Sequence, residues 1–146
     1  MKALLSRATI ASLLLGTSLL ASAADLPRTP APEGAEVFIV SPKDGATVDK
    51  TFTVKFGVKK LDLEPIDKQV PNAGHHHLLV DQEVGALNAD EAIPATATSI
   101  HFGKAQTETE LTLTPGKHTL QLVAGDNVHR QFEPTVASKV ITVNVK

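Results

Sequence analysis

Between Thr51 and Val58 the chain reads TFTVKFGV, and this stretch constrains the fold most. Phe52, Val54, Phe56 and Val58 fall on one side, while Thr51, Thr53 and Lys55 fall on the other. A period of two belongs to a half-buried strand. From Val37 onward similar short runs recur, each cut off by turn residues. Val37–Val40 is followed by Ser41-Pro42-Lys43-Asp44-Gly45, where Pro and Asp-Gly mark a turn. His76–Val80, Ser99–Phe102, Thr107–Leu113, Lys117–Val123 (after Pro115-Gly116) and Lys139–Val145 are the further strand candidates. Leu111, Leu113, Ile141, Val143 and Val145 are expected to face inward. No helical period extends over any of these segments. The expectation is an all-β, antiparallel, immunoglobulin-like sandwich of six or seven strands. Residues 59–74 and 83–97 read as long loops, and Asn88 could cap a single helical turn before Pro94.

The first 24 residues have the pattern of a secretory signal. Lys2 and Arg7 precede an apolar run from Ala8 to Leu20, too short for a comfortable membrane span. Ala21-Ser22-Ala23 and Ser22-Ala23-Ala24 are both small-x-small cleavage patterns. Three units are expected: a signal peptide (1–24), an extended leader (25–35) containing Pro27, Pro30 and Pro32, and one sandwich domain (36–146). Cleavage after Ala24 would leave 122 of the 146 residues and, with Lys2 and Arg7 gone, move the net charge from -2 to -4. No later run is apolar enough to cross a bilayer as a helix, so no integral membrane segment is expected after cleavage. The expected location is the periplasm or the exterior.

Composition removes several functions. The chain has no cysteine, so no disulfide staples an exported fold and thiol redox chemistry is excluded. A mildly acidic domain is not built for nucleic acid. Five phenylalanines are the only aromatics among Phe, Trp and Tyr, which disfavours a platform for stacking sugars or bases. The serines outside the signal, Ser41, Ser99 and Ser138, lie in no nucleophile motif. Glu108 and Glu110 share a strand face and read as a solvated pair. No enzyme is expected.

Six histidines remain to be explained, and three are consecutive in GHHHLLV at 74–80. In a strand, His75 and His77 project to one side with Cα atoms about 6.5–7 Å apart. Two imidazoles so spaced can converge on an ion at about 2.0–2.1 Å per bond. His76 shares its face with Leu78 and Val80 and is expected on the core side. His118, in step with Leu120 and Leu122, is expected there too. His101 faces away from Ile100 and Phe102, and His129 falls in the loop GDNVHR. The candidate metal ligands are His75, His76, His77, His101 and His118. Either the His75–His77 pair meets His101, or His76 meets His118. With Met1 in the signal, no sulfur ligand is left, so blue-copper and Met-rich copper(I) sites are excluded. Imidazole suits copper(II), zinc or nickel, and copper(II) or zinc is the expected cofactor.

GHHHLLV at 74–80, IHFGKAQTE at 100–108 and PGKHTLQLVAGD at 115–126 together resemble a family of small exported bacterial domains without a settled function. Some of its members carry a rod-shape-determining name that looks like inherited mislabelling. The resemblance covers roughly Val37 to Val145. His75, His76, His77, His101, Phe102, Gly103, Gln106, Thr107, His118 and Asp126 match its pattern. Asn127-Val128-His129-Arg130 departs from the polar, His-bearing segment that the family implies.

Three functions follow as expectations. The first is an exported, non-enzymatic binding domain holding a divalent transition metal. The second is a structural or interaction module of the cell envelope, with a protein partner and histidines that order its loops. The third is a hydrolase activating a metal-bound water, for which Asp81 and Glu83 are the general bases nearest in sequence.

Overall fold

A computed structural model describes residues 26–146. The expected signal peptide therefore lies outside the described residues. The strands in chain order are β1 (Glu36–Ser41), β2 (Ala46–Val48), β3 (Thr51–Lys59), β4 (His75–Val80), β5 (Ser99–Phe102), β6 (Glu108–Thr112), β7 (Gly116–Gly125) and β8 (Ile141–Val145). They form two sheets, one of three strands in the order β1-β3-β6 and one of five in the order β2-β8-β7-β4-β5. The protein is an all-β, two-sheet sandwich. Among the described residues it has eight strands rather than six or seven. It is also not wholly antiparallel, because Ala46–Val48 runs parallel to Val143–Val145. Three residues are too few to display an alternation, which is why β2 carried no signal of its own.

The core lies between the sheets. Val54 and Phe56 of β3, Leu111 of β6, Leu78 and Val80 of β4, Leu120 and Leu122 of β7, and Val143 of β8 form one buried cluster. Each such side chain contributes about 1.5–3 kcal/mol by leaving water. With no disulfide present, this burial carries the stability of the fold.

The outer face of the five-stranded sheet is covered as well. Leu79 of β4 and Val123 of β7 pack there against Ile93, supported by Val84 and Leu87. The segment 83–97 is thus a cover for this face. Its short 3-10 turn falls at Val84–Ala86, not after Asn88, whose side chain instead accepts a bond from the Asp90 amide at 3.1 Å. With both faces covered and a strand on either side, every residue of β4 is buried.

Residues 26–31 are tied down against the segment around Glu133. Ala31 N donates to Glu133 O at 2.8 Å, and Glu133 N donates to Thr29 O at 2.9 Å. Arg28 pairs with Glu133. From the other side, the Arg130 guanidinium donates to the carbonyls of Leu26 and Pro27 at 2.9 and 3.1 Å. Residues 26–31 therefore form a strap across the segment that follows β7.

Among the described residues, no helix is long and apolar enough to cross a membrane.

Candidate metal centre

Strand register assembles the site. His77 stands opposite His101 on β5 and opposite Val123 on β7, while His75 stands opposite Gly125. Alternation sends His75, His77 and Leu79 to the outer face of the sheet. Because that face is covered, the outward pair is buried, at 1% and 0% exposure. His75, His77 and His101 each offer a ring nitrogen, and these nitrogens lie within 4.8 Å of one another. The Nε2 atoms of His75 and His77 are 3.0 Å apart. A tetrahedral ion with bonds of about 2.0–2.1 Å needs ligand nitrogens roughly 3.3 Å apart, so the pair already has nearly that spacing. Without an ion, one ring must donate a proton to the other across this contact.

Two positions without a side chain make the room. A Cβ at Gly125 would lie 3.0 Å from His77 Nε2 and 3.4 Å from His75 Nε2. A Cβ at Gly103 would lie 2.4 Å from His101 Cε1, which is inside contact distance. The imidazoles fill the space that these glycines leave.

The electrostatics suit a cation bound by neutral imidazoles. Burial, reinforced by the neighbouring histidines His101, His129 and His76, pushes His75 down to about 3. Burial, together with His75, His101, His129 and His76, pushes His77 down to about 2. Burial and the proximity of His129 also lower His101. The rings are thus kept unprotonated near neutrality, with lone pairs available for coordination. His77 Nδ1 and His101 Nε2 are buried without a hydrogen-bond partner. Such nitrogens are costly to bury, and a cation would offset that cost for those facing it.

The other sequence candidates lie elsewhere. His76 faces the inner core, with its ring edge-on to Phe56 at a centroid distance of 5.3 Å. It is the outward pair that meets His101. His118 stands opposite Val143, seven residues before Gly125 on β7, or roughly 23 Å along the strand. Its Nδ1 is 2.7 Å from Asp81 Oδ2 and its Nε2 is 2.8 Å from the Thr114 carbonyl. With an acceptor on each side both nitrogens must donate, which leaves no lone pair for an ion. His118 is accordingly raised, first by its bond to Asp81 and then by Thr114 and the Asp81 charge, against the effect of burial. His76 and His118 are therefore not brought to the cluster. One registers on the opposite face, and the other at the opposite end.

His129, which the sequence placed only in a loop, does come to the cluster. Its ring centroid is 5.0 Å from that of His75, 4.8 Å from His101 and 6.2 Å from His77. On its outer side His101 borders a surface depression of about 640 Å3, lined by Ile66, Lys68, Gly103, Lys104 and Gln106 among others.

Fold and site together define a small β-sandwich domain with a histidine cluster able to chelate a divalent metal. The chain belongs to the family described as "Domain of unknown function (DUF4399)", whose profile matches residues 54–146 and so takes in all six histidines. No curated protein matches the chain by sequence. Among solved structures it is similar to the Clostridium thermocellum CbhA fibronectin(III)-like modules, at 18% identity and a TM-score of 0.38. That match covers 75% of this chain and 92% of the other. A likeness this loose carries nothing about what the chain binds.

Proposed function

We propose that this is an exported, non-enzymatic binding domain that holds copper(II) or zinc through His75, His77 and His101. One observation carries the reading: three ring nitrogens from two adjacent strands lie within 4.8 Å of one another. Burial keeps those rings neutral, which is the state that binds metal. A binding role is favoured over metal-water hydrolysis because Asp81 is engaged by His118 and Glu83 is exposed, leaving neither as a base at the cluster. The signal-like residues 1–24 support a periplasmic or secreted location, and the two-sheet sandwich supports an immunoglobulin-like module.

Calorimetric titration of residues 25–146 with zinc chloride and with copper(II) chloride tests this. The expected outcome is saturable binding at one site per chain, abolished in His75→Ala. Binding no tighter than about millimolar would remove the reading, since that corresponds to only about 4 kcal/mol.

A second reading has one observation in its favour. His118 orders its surroundings through Asp81 and Thr114 with no metal, and His75 and His77 can share a proton in the same way. The domain would then be an envelope interaction module. A melting temperature of the purified protein that ignores chelator and added zinc alike would favour this alternative.

A further inference from the structure

We infer that His129 is the fourth ligand of this centre, and that the four imidazoles form a closed tetrahedral site matched to zinc. The inference rests on the metal reading above and adds a ligand, a geometry and an ion to it.

In a tetrahedral four-imidazole site with metal–nitrogen bonds of about 2.0–2.1 Å, ring centres sit roughly 5 Å apart. The six separations among His75, His77, His101 and His129 are 4.9, 4.8, 5.0, 5.0, 6.2 and 4.8 Å. Five of the six match; the sixth, His77 to His129 at 6.2 Å, must shorten by roughly 1 Å for His129 to join the three whose nitrogens already cluster. Five near-equal separations among four imidazoles are what convergence on one ion would require.

The turn that carries His129 is built to hold it. His129 has a φ of +68°, a left-handed backbone that residues with a side chain seldom adopt unless their surroundings hold it. Asp126 holds it. Buried at 1% exposure, its Oδ1 accepts the amides of Val128 and Arg130 at 3.0 and 2.9 Å. The His129 amide donates to the Asp126 carbonyl at 2.9 Å. Asp126 Oδ2 in turn accepts the Thr29 hydroxyl at 2.7 Å, which fastens the turn to the strap. The chain thus holds a strained turn in place, and that turn delivers one imidazole to three others.

The donor set also selects the ion. Four nitrogen donors leave no coordination position for water or substrate, as in structural rather than catalytic sites. Copper(II) prefers tetragonal sites, whereas zinc has no electronic preference against a tetrahedron.

The test uses residues 25–146 and zinc chloride. His129→Asn removes the imidazole but keeps a residue that tolerates left-handed backbone, so the turn survives. Wild-type protein is expected to show four nitrogen neighbours per zinc by X-ray absorption. In His129→Asn, three are expected with a solvent oxygen, and an affinity at least about tenfold weaker. Cobalt(II) in the wild type should give the intense visible bands of a tetrahedral ion, altered in the variant. If wild type binds zinc and His129→Asn binds it equally with an unchanged coordination shell, the fourth-ligand inference falls while the three-histidine site stands. If wild type binds no zinc, the fourth-ligand inference falls; if it binds neither zinc nor copper(II), the three-histidine reading falls with it. Unchanged circular dichroism of the variant confirms that a lost ligand, and not a lost fold, is being read.

Discussion

His76 lies between two residues of the cluster in sequence, yet it belongs to the opposite side of the sheet. It is fully buried, both ring nitrogens lack partners, and burial pushes it down to about 4. An imidazole in that position is a misplaced polar group: it fills volume beside Phe56 and Phe102 but leaves a donor and an acceptor unsatisfied. Replacing both functions with hydrocarbon of similar size is favourable in such settings. His76→Leu is therefore expected to raise stability by about 1–3 kcal/mol in thermal or urea unfolding, with zinc binding unchanged. A less stable variant would show that the ring makes contacts worth more than its unpaired nitrogens cost. Strand alternation was enough to separate His76 from its neighbours. It was not enough to place His118. Its inward phase was legible, but its position along the sheet depends on which end of β7 meets β4, and that is set by pairing between distant segments.

At the scale of elements, the site depends on two strands, one turn and two missing side chains. β5 could be bounded from the sequence because polar residues flank the short run Ser99–Phe102. β4 was placed to within one residue. The burial of the outward histidines was not legible, since it depends on residues 83–97 and 126–137 folding back over the sheet. His129 left one local trace, an Asp three positions before it after a Gly. Side-chain capping of a tight turn by Asp is common, so the trace pointed to a turn without saying what the turn would reach. Gly103 supplies a sharper test of the arrangement. Gly103→Ala puts a methyl 2.4 Å from the His101 ring, so the ring must turn away. Zinc affinity is expected to fall at least about tenfold. The fold should lose only about 1–3 kcal/mol, the usual cost of local overpacking. Calorimetry and melting curves on one preparation measure both. Undiminished affinity would take His101 out of the ligand set.

Across the whole molecule, the histidines give stability a direction in pH. His75, His76 and His77 are all pushed below 6.5, principally by burial. The unfolded chain then binds protons that the folded one refuses. The contribution of these groups is complete above about pH 6.5 and is lost as pH falls toward their folded values, by up to about 1.4 kcal/mol per pH unit for each. His118 works in the opposite sense: raised, it helps the fold below 6.5 and stops helping as pH rises through its folded value. For Asp81, burial raises the carboxyl, but the bonds from His118 and the Thr119 amide prevail and lower it, so its contribution fades only in strong acid. Four depressed histidines, His101 among them, outweigh one raised one. Chelator-treated protein is thus expected to be most stable near pH 7 and to weaken progressively below about 6.5, with a shallower fall for His76→Leu. A flat profile between pH 4 and 7 in denaturant titrations would mean that the rings remain reachable by solvent protons.

The enclosure of β4 also governs motion. Its amides pair with β5 and β7, and both of its faces are covered. Local opening is cheapest where backbone is exposed and dearest in a central strand. Amide hydrogens of residues 75–80 should therefore exchange with deuterium only when the entire domain unfolds, while those of the 126–131 turn exchange through smaller fluctuations. The imidazoles of β4 are carried on backbone that is paired on both edges and covered on both faces. Any change in what they hold falls to the His129 turn on one side or to the His101 edge, beside the surface depression, on the other.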